Sequence, residues 1–459
     1  METECIQGEF DVQGFEGKKF LVRNDGGDES SDGGLLLLML MEKRHHIISR
    51  FTGCFQDLRN QKLIPHPVLR LLKQRIFGLC QGYEDINDHD SWQDDPLLSV
   101  ACEVTDKSAR LAGKGTLNRL ELGGDADSAK DRYKNIRYKS TEIKKLMADL
   151  FMETHSGGQL GPQQIIIDVD ATDDPVHGNQ EGSYFHGYYD EYCYLPLYMF
   201  VGDFPVWAEL GTADVDPADG VIPALSVIIG RIRQRWPWTR IIIRGDGGFN
   251  RPEILSWLEM QFRVSYVFGM PKNRRLLQII GKEMHDVELA CKASGEAERA
   301  FTEFRYQTRK SWERPRRVIA KAEQLPGRAN PRFIVTNLED RFLTPRHLYE
   351  KLYCARGNME NRIKEQKLFM YADRLSTQSI RGNQLRLWFS TIAYIFMLLL
   401  RKNCYGNEFL ARAQASSIRL RLLKVAARVS ISVRRIVVHV PSSFPYWDAW
   451  FKLQMRLQP

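Results

Sequence analysis

Paired cysteines are missing from this chain. Its eight cysteines (Cys5, Cys54, Cys80, Cys102, Cys193, Cys291, Cys354, Cys404) are scattered, with no C-x-x-C spacing. That argues against a zinc module or disulfide framework and for a reducing cytoplasm. Apolar runs of membrane length are missing too. The longest, Leu35–Met41 and Leu387–Leu400, fall short of the ~20 residues a span needs, and the second contains Ser390 and Thr391. Both read as buried helix or strand. Met1 to Gln7 lacks a basic stretch followed by an apolar one, so no secretory signal is expected. No internal repeat is evident. Gly113-Lys114-Gly115-Thr116 resembles the end of a phosphate loop, but Ser108 stands where the first glycine belongs and no strand precedes it. His177, near Asp173 and Asp174, has no second well-spaced histidine and reads as a loop residue.

What is present suffices for two or three domains: 459 residues with an ordinary apolar fraction. The net charge of +8 is unevenly placed. Residues 371–459 carry 14 Lys/Arg against Asp373, Glu408 and Asp448, or +11, which leaves −3 for the remainder. A cationic C-terminal region points to a polyanionic partner.

Residues 23–34, rich in Gly, Asp and Ser, read as a flexible loop. From about Pro65 to Leu122 the periodicity is helical, with turns at 82–90 and 93–96. Thr116 is placed to cap a short helix carrying Asn118 and Arg119, either a DNA-reading helix or a plain surface one. Asp85, Asp88 and Asp90 read as turn and cap residues. After a helix near Ser140–Met152 comes Gln164–Asp170 (QIIIDVD), a β-branched run of the kind found in buried central strands. Strands follow near 192–201 and 205–210, then a helix at Val221–Arg235 and a strand at Arg240–Gly245 that ends at Asp246. A helix opened by Pro252 leads to a fifth strand at Val264–Phe268. Three strands, helix, strand, helix, strand make a mixed α/β sheet. Residues 298–337 read as a small β insertion. Helices resume from Pro345 to Arg401, and a helix–strand–helix tail closes the chain.

Asp170 and Asp246 fall at the C-terminal ends of two buried strands, where open α/β sheets form ligand crevices. Strand-end carboxylates are also routine helix caps. Further on, Tyr353, Arg356, Glu360 and Lys367 follow the pattern Y-x2-R-x3-E-x6-K. On one continuous helix they rotate to roughly 0°, −60°, −20° and −40°, a single narrow stripe. Gly357 interrupts that stripe, so the helix can instead begin there. An acid, two cations and a phenol on one edge suit a metal-bound phosphate; a solvated charged face is the plain alternative. Three crowded carboxylates repel unless cations neutralise them, and hard oxygen donors favour Mg²⁺ or Mn²⁺ over zinc.

Asp170-Ala171-Thr172, Arg244-Gly245-Asp246 and the Tyr353/Arg356/Glu360/Lys367 pattern together resemble the DDE transposases of bacterial insertion sequences, in the branch with a Y-R-E-K motif. Weaker likeness extends to GYEDINDHD (82–90), DPVHGNQ (174–180) and IRLRLLK (418–424). The resemblance implies an α/β fold with an RNase H-like five-stranded mixed sheet, flanking helices, a β insertion and a mainly helical N-terminal domain. It implies a DNA-end-binding region at 1–150, a catalytic core at 151–275 and 343–402, the insertion at 276–342, and a basic C-terminal region at 403–459. Asp170, Asp246 and Glu360 would be catalytic ligands of two Mg²⁺ or Mn²⁺ ions, and Tyr353, Arg356 and Lys367 would hold the DNA backbone. Asp168 competes with Asp170 as first ligand, since both point to one strand face. The implied activity is cut-and-paste transposition by a homodimer gripping two inverted-repeat ends of double-stranded DNA, in the bacterial cytoplasm at the nucleoid, with no membrane partner. A non-transposing nuclease and a decayed DNA-binding protein are the alternatives. Other cation clusters are candidate DNA contacts or plain structural groups: Arg231, Arg233, Arg235 and Arg240 with Trp236 and Trp238, and Arg314, Arg316 and Arg317 near Trp312.

Overall fold

The computed structural model describes residues 7–10, 20–106, 108–155, 160–339 and 343–458. The chain forms two compact units. The first joins the described parts of Met1–Gly53, Asp57–Leu120 and Ile392–Pro459; the second comprises Cys54–Gln56 and Glu121–Thr391. The N-terminal helices thus share a unit with the basic C-terminal stretch, and residues 121–150 go with the sheet.

In the first unit, the Gly/Asp/Ser segment expected to be a flexible loop is exposed over residues 23–29, but it is packed at Ser30 and residues 32–34. Its Glu29–Ser30 strand pairs with the strand Ala427–Ile431. Asp32 is fully buried; it accepts from Tyr83 Oη (2.7 Å) and Trp92 Nε1 (3.1 Å) and meets Lys424 Nζ at 2.7 Å. Gly34 serves close approach, since a Cβ there would lie 2.3 Å from Leu423 Cα. Two of the weaker motif stretches meet in this unit, Arg419 donating to the carbonyls of Leu79 and Cys80 just before Gly82. Asp85 and Asp88 form a reciprocal helix cap, and Asp90 accepts from the Lys114 amide. The helix there runs Lys114–Glu121, so Thr116 lies inside it rather than at its cap. Among the described residues the cysteines form no disulfide.

The second unit is built on a nine-stranded sheet. Its strands are β1 (Gln164–Ala171), β2 (Leu197–Val201), β3 (Phe204–Glu209), β4 (Arg240–Gly245), β5 (Val264–Met270), β6 (Glu298–Tyr306), β7 (Arg316–Leu325), β8 (Arg328–Ala329) and β9 (Arg332–Thr336). The order is 3-2-1-4-5-9-7-6, with β8 paired to β7. Strands β1, β4 and β5 are parallel, the rest antiparallel to their neighbours. The expected insertion therefore does not stand apart: β9 pairs directly with β5, so the insertion strands extend the same sheet. Before β6 the chain is helical at Arg274–Ile279 and Gly281–Ser294, which the sequence reading did not anticipate.

Helices α1 (Ser140–Thr154), α2 (Val221–Arg235) and α3 (Pro252–Glu259) flank the sheet. On the other face, the helical segment 345–353 buries Leu348 and Tyr349 against Ile242, Val267, Ile319 and Ile334. This is the face of Asp168 and Asp170, because Ile242 pairs in register with Ile166 and side chains alternate along β1. The helix Ile380–Asn403 is long and apolar enough to cross a membrane, but 89% of its apolar window is buried in the protein, as in a core helix.

Candidate active site

Register brings the first two acids together. Arg244 of β4 pairs with Asp168 of β1, and Gly245 with Val169. One step beyond the last registered pair stand Asp246 and Asp170.

Asp168 and Asp170 then separate by environment. Asp168 is buried, and Arg244 grips both its oxygens at 2.5 and 2.8 Å. The same guanidinium donates to the Leu352 carbonyl, tying the sheet to the helical segment above it. Asp170 opens instead onto a cavity of about 300 Å³ lined by Thr172, Glu360, Lys364, Lys367 and Asp373. Burial pushes its carboxyl up to about 7; Arg356 opposes this, while the charges of Asp246 and Glu360 add to it. Asp246 and Glu360 are therefore each within electrostatic reach of Asp170.

The Tyr–Arg–Glu–Lys residues do not share one regular helix. The chain winds as a wide π turn over Leu348–Tyr353 and a tight 3₁₀ turn over Cys354–Arg356; α4 (Gly357–Met370) then begins at the interrupting glycine. Arg356 nevertheless sits at the centre. Its Nη2 donates to Glu360 Oε1 at 2.9 Å, and its Nη1 to Asp170 Oδ2 at 3.4 Å. One guanidinium thus spans two of the three acids.

Tyr353 leans on the sheet core, its hydroxyl against Gly269 near the end of β5. A Cβ at Gly269 would lie 2.6 Å from that hydroxyl and 2.9 Å from the Gly247 amide. Burial raises the phenol's pKa, Arg356 lowers it and Asp246 raises it further. Gly269 was not singled out from sequence, although a glycine closing a β-branched strand marks close backbone approach.

Lys367 turns toward the segment after β1. It donates to the Asp173 carbonyl and meets the wholly buried Asp174 carboxylate at 3.2 Å. Burial drives Asp174 up to about 8, against the pull of Lys367. The signal for this pair lay in the DPVHGNQ stretch, which begins at Asp174.

The three acids do not form a ready cage. Asp246 caps the Gly248 amide at 2.8 Å and is not among the cavity's lining residues. Among the described residues no three His, Cys, Asp or Glu side chains stand close enough to hold an ion together. The donor set still fits a hard divalent cation: carboxylate oxygens alone, with a cationic group already resting between two of them.

In the other cation clusters, five arginines are tied into the fold. Arg231 pairs with Asp149 through both nitrogens, and Arg233 donates to the carbonyls of Thr239 and Phe262. Arg314 and Arg316 clamp Glu259, while Arg317 pairs with Glu303.

Carboxylates at strand ends beside helix-borne cations are the chemistry of phosphoryl transfer on nucleic acids. Residues 12–459 match the family model described as Transposase DDE domain group 1, and the chain belongs to that family. It is a DDE-type DNA transposase; the family generally uses divalent metal ions, and DNA is its partner. No curated protein matches the chain. Among solved structures, it is similar to the cryo-EM structure of the piggyBac transposase synaptic complex with hairpin DNA. Identity is 10%, 92% of this chain and 80% of that one are covered, and the TM-score is 0.41. So loose a superposition transfers no residue.

Proposed function

We propose that Asp170, Asp246 and Glu360 form the catalytic centre of this transposase, on an RNase H-like core made by strands β1 to β5. The carrying observation is the Arg356 bridge between Asp170 and Glu360, beside strand ends that set Asp246 next to Asp170. The 3-2-1-4-5 order of the first five strands supports the RNase H-like reading.

The three carboxylates would hold two Mg²⁺ or Mn²⁺ ions, whose bound charge would supply activation of a water or 3′-hydroxyl and stabilisation of the leaving oxygen of a phosphodiester. The chain's own groups position the DNA: Arg356 and Lys367 meet phosphate oxygens, and the Tyr353 hydroxyl donates to another. Lys367 does so by trading its pairing with Asp174. Asp168, locked by Arg244, is not a ligand. The reaction is cleavage at inverted-repeat ends followed by strand transfer into target DNA, performed by a homodimer at the bacterial nucleoid without a membrane partner.

The test is Mg²⁺-dependent cleavage of the DNA flanking the reading frame. Asp246→Asn and Glu360→Gln should each lose cleavage by ~10³-fold or more while retaining DNA binding. Normal cleavage by either variant overturns the assignment.

A further inference from the structure

Arg356 does two things that cannot both hold during catalysis. Its guanidinium occupies the space between Asp170 Oδ2 and Glu360 Oε1, at 3.4 and 2.9 Å, and its side chain is only 19% exposed. A divalent ion bound by the same two oxygens needs that space. The displaced guanidinium would then lose both of the acid partners it now holds.

We propose that Arg356 is a resident counter-ion that exchanges with the metal: ion binding at Asp170 and Glu360 releases its guanidinium to take a DNA phosphate. Metal and DNA binding are thereby coupled through a single side chain. Without metal, the arginine neutralises the acids and is withheld from DNA. With metal, the acids are satisfied and the arginine is released to donate hydrogen bonds to phosphate oxygens. The coupling is reciprocal, since a phosphate that draws Arg356 away leaves the two carboxylates in need of a cation. The inference rests on the assignment of Asp170 and Glu360 as metal ligands.

Mn²⁺ binding to the full chain, read by electron paramagnetic resonance without DNA, tests it. Arg356→Gln should bind Mn²⁺ about tenfold more tightly than the unaltered protein, because one charge-assisted competitor is gone. Arg356→Lys, which keeps the charge but loses the fork, should fall between. In parallel, Ca²⁺ should strengthen binding of a short 5′-phosphorylated DNA duplex to the unaltered protein, and this gain should vanish in Arg356→Gln. Equal or weaker Mn²⁺ binding by Arg356→Gln, with unchanged thermal melting, overturns the exchange. Asp170→Asn and Glu360→Gln separate the two ways of failing. If they bind Mn²⁺ like the unaltered protein, the ligand assignment falls and takes the exchange with it. If they lose Mn²⁺ while Arg356→Gln gains nothing, the exchange alone falls.

Discussion

Arg244 grips both carboxylate oxygens of Asp168 inside the sheet, two residues before an aspartate that no such partner encloses. Breaking a buried pair leaves an uncompensated charge, at a cost of about 3–5 kcal/mol. Arg244→Ala should therefore lower stability by that order. Asp170→Asn should be neutral or stabilising in metal-free protein, by on the order of 1 kcal/mol, since it removes a partly buried charge that other acids repel. Urea titration of both variants checks the contrast; equal losses would place Asp168 and Asp170 in the same role.

Gly269 admits the Tyr353 hydroxyl and the Gly247 amide at distances no Cβ tolerates. Gly269→Ala should cost about 1–3 kcal/mol and reduce cleavage. Adding Tyr353→Phe removes the nearer clash but not the backbone one, so the double variant should recover part of the lost melting temperature. Full additivity of the two losses would show that the residues do not touch.

Asp170 also sets a pH dependence. Its carboxyl, ordinarily near 4, is pushed to about 7 by burial. Between those values the native state holds more protons than the unfolded one, so this group's contribution to stability falls as pH rises through the window. Metal must expel the same proton, so Mn²⁺ affinity should climb up to about pH 7 and level above it. Comparing unfolding free energies from pH 5 to 8 isolates the stability effect: the unaltered protein should lose ground relative to Asp170→Asn as pH rises. A constant difference would contradict it.

Asp174 is wholly buried against Lys367 and pushed to about 8. Replacing the lysine by methionine removes the counter-charge, and the carboxyl can answer by staying protonated. Lys367→Met should thus be tolerated at pH 6 and more destabilising at pH 9, where that proton is lost. Thermal melts at the two values measure it, and a loss independent of pH would mean the ion pair contributes nothing.

Much of this site was legible in the chain because its signals are local. The runs QIIIDVD and RIIIRG are too β-branched to be anything but inner strands, and their crossover order placed Asp170 beside Asp246. What stayed hidden depends on partners distant in sequence. Asp168 and Asp170 are chemically identical until Arg244, 76 residues away from the first, chooses one. The glycines at 33–34 read as loop because composition cannot distinguish freedom from close packing; their neighbours come from residues 422–427. The π turn over Leu348–Tyr353 defeated the 100° arithmetic, although Arg356 and Glu360 still met because α4 begins between them. The insertion strands alternate like any hairpin, and nothing in their pattern says that β9 joins β5.

Local radical chemistry probes the joint action of the three acids most directly. With Fe²⁺ in place of Mg²⁺, ascorbate and peroxide cut the backbone only beside the bound ion. The account predicts cuts near residues 170, 246 and 360 together, all suppressed by excess Mg²⁺ and all lost in Asp170→Asn. Cuts at one of these positions alone, or elsewhere in the chain, would contradict a shared centre.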